Sequence, residues 1–217
     1  MGEPRPDRRA YELAKRVLDC CLAAALLVVL SPLLAIAAVT VRATSPGPVL
    51  FRQERVGRHR EPFTMLKFRT MRADADDRVH REYVVRLMTE DRPPTGGLDG
   101  VYKLVGDPRV TGVGAVLRRT SLDELPQLLN VLQGHMALVG PRPVLAWETE
   151  LYQPRHMTRF EVPPGMTGLW QVSGRNKLKM AEALDLDVVY VHRRSMRLDL
   201  SILARTLPAT VTGGSAR

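Results

Sequence analysis

The chain has 217 residues, enough for one domain with an appendage, and carries 32 Lys and Arg against 23 Asp and Glu, a formal charge of +9. With 45% hydrophobic and 25% charged residues it is not a disordered chain, and its 5% aromatic content argues against a base-stacking surface for single-stranded nucleic acid. The only cysteines are the neighbours Cys20 and Cys21, and the five histidines are scattered, which excludes a disulfide framework and a four-ligand zinc module.

Val17 to Val41 is an apolar run of 25 residues with one charge, Asp19. At 1.5 Å per residue it is long enough to cross a bilayer core of about 30 Å. No small-x-small site leads from it into a polar start, so it does not read as a cleavable signal peptide. Ser31-Pro32 interrupts the run. Proline removes a helical hydrogen bond and clashes with the preceding turn, so a kink is expected there. Both flanks are basic: Arg5, Arg8, Arg9, Lys15 and Arg16 before, and Arg42, Arg52, Arg55, Arg58 and Arg60 after. Positive charge beside a membrane segment marks the cytoplasmic side. Two basic flanks therefore predict a helix that enters, breaks at Ser31-Pro32 and returns. Each arm, about 15–21 Å long, is too short to cross alone. Ser31 is suited to satisfy a backbone group freed at the break. A kinked single span is the competing topology. Asp19 lies three and four residues after Arg16 and Lys15, a spacing that predicts a salt bridge rather than a catalytic role.

Pro48 to Val56 and Phe63 to Phe68 are predicted strands joined by the polar turn Gly57 to Pro62. They form a hairpin at the membrane surface that carries Arg52, Arg55, Lys67 and Arg69. Ala73 to Arg92 is helix-compatible, and Pro93 to Gly100 is a breaker-rich loop. Gly114 to Arg119 and Leu122 to Gln133 are predicted helices. Gly140-Pro141-Arg142-Pro143 is a rigid, non-helical turn. Val144 to Tyr152 and Lys179 to Ser195 are further predicted helices, and Asp199 to Leu207 is an amphipathic tail helix. The fold class is α+β and mostly helical. Its parts are a basic interfacial segment over 1–16, a re-entrant helix over 17–41, and a compact unit with interfacial helices over 42–217.

The densest constellation is Arg118-Arg119-Thr120-Ser121-Leu122-Asp123-Glu124-Leu125-Pro126-Gln127. Helical neighbours point about 100° apart, so Asp123 and Glu124 serve different targets. One can be a nucleophile while the other holds a divalent cation, a kit suited to phosphoryl transfer beside arginines. The structural alternative is a capping box, in which Glu124 reaches back to the Ser121 N–H and Asp123 complements the helix dipole. Pro126 suits that register poorly, because it falls past the first turn. The turn Gly140 to Pro143 fixes the backbone on both sides of Arg142, and arginine suits phosphate; a solvated surface arginine is the alternative. Gly165 to Arg175 is glycine-rich and is a candidate loop around a nucleotide. Gly112-Val113-Gly114 lacks the third glycine of a dinucleotide fingerprint. Asp74-Ala75-Asp76 and Asp185-Leu186-Asp187 match the Asp-x-Asp triplet of metal-dependent glycosyltransferases, a pattern that chance produces often.

With these residues in hand, the sequence resembles a bacterial sugar transferase, a monotopic polyprenyl-phosphate phosphoglycosyl transferase in its small, catalytic-unit form. The landmarks run in order from Lys15-Arg16-Val17-Leu18-Asp19 through Leu30-Ser31-Pro32-Leu33, Gly47-Pro48-Val49, Phe51-Arg52-Gln53, Arg55-Val56-Gly57 and Lys67-Phe68-Arg69-Thr70-Met71. They continue through Asp107-Pro108-Arg109-Val110-Thr111, the stretch from Arg119 to Gln127, Val139-Gly140-Pro141-Arg142-Pro143 and Gly165 to Arg175, to Asp199-Leu200. The resemblance implies transfer of a sugar 1-phosphate from a UDP-sugar to polyprenyl (undecaprenyl) phosphate, with release of UMP, as a first membrane step of glycan or exopolysaccharide assembly. It implies Asp123 as the nucleophile of a covalent phosphosugar intermediate and Glu124 as a ligand of Mg²⁺. Arg118 matches a phosphate-contacting position and Arg142 a nucleotide-site position; Lys67, Arg69 and Arg175 complete the candidate substrate-binding set. Ser31 and Pro32 match the helix break of a re-entrant anchor, in agreement with the charge of the flanks. The implied location is the inner membrane, among its lipids, with the catalytic unit on the cytoplasmic face. No nucleic-acid partner is expected, and a homodimer is compatible with the sequence. Two other functions compete: a non-catalytic, membrane-anchored basic protein, and an Asp-x-Asp glycosyltransferase that releases UDP. No motif covers Asp91 to Val101, so the sugar stays open.

Overall fold

The computed structural model describes residues 8–72, 81–82, 85–86, 107, 109–174 and 179–211, with side chains up to 206. Residues 81–82 and 85–86 are helical. The rest of the predicted helix Ala73 to Arg92, the loop Pro93 to Gly100 and the triplet Asp74-Ala75-Asp76 lie outside the described residues.

Two helices open the chain, α1 (Arg8–Val29) and α2 (Ser31–Thr44), bent by 64° at Leu30. Residues 8–16 and the start of the apolar run are thus one helix. Pro32 has no N–H to give to the Val28 carbonyl four residues back. The Ser31 hydroxyl takes that carbonyl instead, at 2.8 Å, the role expected of it. Neither helix is long and apolar enough to cross a membrane, whereas the bent pair together meets that test by length and composition. The pair leaves Val28 and Val29 72–73% exposed, and Val17, Ile36 and Val39 are exposed as well. Isolated apolar side chains on a surface are ordinary, but a continuous apolar band on two successive helices marks an interaction surface.

A hairpin follows, β1 (Leu50–Val56) and β2 (Pro62–Phe68), paired antiparallel with Leu50 opposite Phe68 and Val56 opposite Pro62. Its turn contains a short 3₁₀ segment, Arg58–Arg60. The hairpin is a wedge. On one side Phe63 and Met65 pack with Ala23 of α1 and with Leu128 and Val131 of α4 (Gln127–Gln133). On the other, Phe68 packs with Ala37 and Val41 of α2 and Leu117 of α3 (Gly112–Arg119). Asn130 finishes the outer edge of β2: its amide accepts from Leu66 N at 3.0 Å and donates to Thr64 O at 2.8 Å. A side-chain amide thus supplies the hydrogen bonds a third strand would have made.

β3 (Ala137–Val139) and β4 (Gly165–Thr167) form a short parallel pair. Two 3₁₀ segments lie between them, Ala146–Leu151 and Pro154–Glu161. The first replaces the α-helix expected over Val144 to Tyr152: the chain there is extended at Leu145 and again at Tyr152, leaving room for little more than a turn or two. α5 (Leu169–Ser173), α6 (Met180–Arg193) and α7 (Met196–Val211) complete the chain. α6 and α7 bury Tyr190, Val191 and Ile202 against Val139. α7 also docks on α1 through Asp199, which accepts from Tyr11 and Tyr190 at 2.8 Å each and pairs with Lys15 at 3.1 Å. Lys15 also pairs with Asp19 at 3.3 Å, the predicted salt bridge. Arg16, the other expected partner, turns away to the carbonyls of Val131 and Leu132.

Close packing around β3 and β4 is between bare backbones. A Cβ on Gly140 would lie 2.6 Å from the Pro163 carbonyl, and one on Gly165 or Gly168 would collide with the backbone of Gly140. Gly165→Ala is expected to cost more than about 2 kcal/mol, because rigid backbone and not a movable side chain opposes it. Denaturant unfolding of the detergent-solubilised protein measures this; Gly112→Ala, which meets open space, is the control.

Candidate active site

α3 is capped by Thr111, whose hydroxyl accepts from Gly114 N at 2.9 Å. Arg118 and Arg119 lie in its last turn, where cations complement the helix dipole. The chain then leaves the helix abruptly. Ser121 adopts a left-handed conformation, φ 57° and ψ 15°, with no capping hydrogen bond from its side chain. This overturns the capping-box reading of Ser121 and Glu124, which needs extended backbone at the cap. A non-glycine residue in this region carries backbone strain, a condition that collects at functional sites. Leu122–Glu124 form one 3₁₀ turn, Pro126 follows it, and α4 begins at Gln127. The single helix expected from Leu122 to Gln133 is therefore two pieces, divided where Pro126 cannot donate. In a turn of three residues per revolution, Asp123 and Glu124 diverge by about 120°.

The divergence separates their environments. Asp123 is 5% exposed. Glu124 faces a narrow cleft with Arg55, Lys67, Gln127, Arg142 and Gln171. Lys67 Nζ stands 4.0 Å from Glu124 Oε1. Desolvation pushes the Lys67 ammonium down to about 8; Arg142 and Arg55 push the same way, and Glu124 and Asp123 oppose them. Gln171 Nε2 donates to the Met166 carbonyl at 3.3 Å, and its Oε1 is buried without a hydrogen-bond partner among the described residues.

Buried ion pairs hold the Pro-Arg-Pro turn. Arg159, in the second 3₁₀ segment, donates to the Arg142 carbonyl, to Asp187 and to the Tyr152 hydroxyl, each at 2.7 Å. Burial pushes the Asp187 carboxyl up, while Arg159 pulls it down. Arg55 pairs with Glu148 at 3.6 Å and donates to the Pro143 carbonyl at 3.4 Å. Asp187 is thus committed to Arg159, while Asp185 lies at the surface with Arg155 and His156 at 3.1 and 3.0 Å. The two acids of that triplet point to different partners and offer no shared metal site.

Of the residues expected from sequence, the cleft brings together Lys67, Glu124 and Arg142. Asp123 is buried and outside the lining, yet close enough to act on Lys67. Arg118 is half-buried outside the lining, where it helps Arg109 hold the Asp107 carboxyl below the usual range. Arg69 also lies outside the lining and bonds Ser45. Arg175 falls outside the described residues. Ser31 and Pro32 are at the bend between α1 and α2. Arg55, Gln127, Gln171 and the support from Arg159 were not singled out from sequence. Gln127 ends the acidic motif and Gln171 lies in the glycine-rich stretch, so the motifs contained both; nothing in the spacing separated them from their neighbours.

Among the described residues no three acids, histidines or cysteines converge as a protein-only metal cage requires. The donor set still fits Mg²⁺, which takes one or two carboxylates together with substrate phosphates and water. Glu124 is the carboxylate in the cleft that suits this.

A family profile described as bacterial sugar transferase matches residues 10–213. The chain belongs to that family. This sugar transferase is 40% identical over 197 residues to the exopolysaccharide production protein ExoY of Rhizobium meliloti, covering 91% of this chain and 85% of that one. It is 40% identical over 223 residues to the UDP-glucose:undecaprenyl-phosphate glucose-1-phosphate transferase of Caulobacter vibrioides, covering 99% and 76%. It is 38% identical over 199 residues to the undecaprenyl-phosphate galactose phosphotransferase of Salmonella typhimurium, covering 92% of this chain and 40% of that longer protein. The sugar transferase is an enzyme of the sugar-phosphate transferase class.

Arg159→Met would strand the buried Asp187 and is expected to lose about 3–5 kcal/mol. The double variant Arg159→Met, Asp187→Leu, with no charge left behind, should recover much of that in chemical denaturation.

Proposed function

We propose that this sugar transferase moves a sugar 1-phosphate from a UDP-sugar to undecaprenyl phosphate and releases UMP, by way of a covalent phosphosugar on Asp123. The observation that carries this is the cleft in which Lys67 and Arg142 face Glu124, with the buried Asp123 next to it in sequence and close enough to act on Lys67. The names of the relatives from Caulobacter and Salmonella support the acceptor, and the first also supports the UDP-sugar.

The chemistry follows from charge. A UDP-sugar brings a diphosphate, which the cations of Lys67 and Arg142 attract and partly neutralise. Glu124 would hold Mg²⁺, which when bound supplies further neutralisation of the diphosphate oxygens. A carboxylate oxygen of Asp123 bonds to the sugar-bearing phosphorus as the bond to the UMP oxygen breaks, and UMP leaves with that electron pair. An oxygen of the acceptor phosphate then bonds to the same phosphorus. The Asp123–phosphorus bond breaks, and the carboxylate returns. Both incoming groups are anions already, so neither step needs a general base.

The bent pair α1–α2 gives this chemistry its place. As a re-entrant anchor over 17–41 it puts both basic flanks, and the catalytic unit over 42–217, on the cytoplasmic face of the inner membrane. Its exposed apolar band suits lipid, and the soluble donor and the lipid acceptor then meet at headgroup depth. Labelling both termini in intact cells is expected to find them on the cytoplasmic side; a periplasmic N-terminus would rule re-entry out.

Asp123→Asn is expected to reduce turnover by on the order of 10³ or more, read as UMP release with Mg²⁺, UDP-sugar and undecaprenyl phosphate. UDP as the nucleotide product would instead favour a transferase that moves the sugar alone. Lys67 carries its charge below about pH 8 and loses it as pH rises. The free-enzyme kcat/KM for the UDP-sugar should therefore fall above about pH 8, approaching tenfold per unit. Lys67→Arg keeps its charge and should move that fall beyond pH 9; an unshifted profile would exclude Lys67 as its source.

A further inference from the structure

Arg69 follows the last residue of β2 and is 6% exposed. Its Nη2 donates to the carbonyl and hydroxyl of Ser45, at 2.7 and 2.8 Å, just past the end of α2. Its Nε and Nη1 are buried and have no hydrogen-bond partner among the described residues. No acid pairs with it among those residues either, in contrast to Arg55 and Arg159. A guanidinium withdrawn from water without an opposing charge is unfavourable, and an anion relieves it.

Two features place this cation. Arg69 N donates to Val49 O at 2.9 Å, so the strand ladder continues one residue beyond β2. Side chains alternate along a strand, which puts Arg69 on the same face as Met65 and Lys67, both in the cleft lining, and about 7 Å beyond Lys67. The second feature is the turn after α2. Gly47, at φ 115°, gives Arg69 Nη1 room that a Cβ would fill. The unmatched charge thus lies between the cleft and the end of the apolar arm α2.

We propose that Arg69 binds the phosphate of the lipid acceptor through the N–H groups that Ser45 leaves unused. The inference rests on the two-step reaction proposed above and assigns its second substrate a subsite of its own. Lys67 and Arg142 serve the nucleotide's diphosphate; Arg69 receives a phosphate monoester arriving from the bilayer side. A planar fork of N–H donors suits phosphate oxygens better than a point charge does, which explains an arginine here.

The test uses the full chain in lipid nanodiscs, with Arg69→Gln and Arg69→Lys. KM for undecaprenyl phosphate should rise tenfold or more with glutamine and less with lysine, while KM for the UDP-sugar changes less than twofold. Equal rises in both constants, or no change for the acceptor, would overturn the assignment. So would loss of binding to phosphatidylglycerol vesicles free of undecaprenyl phosphate, if it matched the loss of activity, because the headgroup bound would then be bulk phospholipid. If both variants fail to fold, a photoreactive undecaprenyl phosphate on the unaltered protein decides: crosslinks within 45–51 or at Arg69 support the subsite, and crosslinks confined elsewhere refute it. Absence of UMP release from the unaltered protein would defeat the underlying reaction and not this assignment.

Discussion

Contact between naked backbones at Gly140, Gly165 and Gly168 is the constraint on which the site depends. It holds the start of the turn carrying Arg142 against the segment leading to Gln171, and both residues line the cleft. The hairpin, wedged between the bent helices and α4, brings Lys67 to the same opening. The residues of the cleft come from five separate stretches of chain, and none is held by its local sequence alone. Arg159 and Arg55 then fix the two carbonyls of the Pro-Arg-Pro turn, at Arg142 and Pro143.

The free site is electrostatically tense. Moving the Lys67 ammonium from its ordinary value of 10.5 to about 8 corresponds to roughly 3 kcal/mol of disfavoured charge. The side chain is still 19% exposed, so solvent tempers that figure. The shift is mainly desolvation, with Arg142 and Arg55 adding to it, so on the proposed reading an arriving diphosphate would relieve both by giving the buried cations an opposing charge. In the proposed scheme Arg69 would follow the same rule two residues along the strand, with a different anion.

The sequence carried the outline of this arrangement. The bend at Ser31-Pro32, the hairpin, the helix ending at Arg119 and the Pro-Arg-Pro turn were legible because proline, glycine and alternation act locally. What was not legible depended on tertiary context. Pro126 was recognised as misplaced, yet the left-handed Ser121 that breaks the chain ahead of it has no signature, since serine rarely adopts that conformation. Gly165 to Arg175 looks like a loop from its glycines, and the structure finds β4 and α5 there because neighbouring backbones, not the residues' own preferences, order them. Asp187 resembled half of a metal-binding triplet until Arg159, 28 positions away, claimed it. Sequence spacing cannot show that Arg55 shares a cleft with Gln171.

The hydrogen bond from Tyr11 to Asp199 closes a loop of 188 positions. Synthesis runs from the N-terminus, so the bent pair leaves the ribosome long before its partner in α7 exists. In that interval Asp19 is the one of Lys15's two acid partners already made, and the hydroxyl of Tyr11 has no acceptor in α7. The bent helix pair is therefore made first and its polar junction with α7 is closed last. An interrupted chain leaves the Tyr11 hydroxyl without the acceptor, and Lys15 without the second carboxylate, that a finished one supplies from α7.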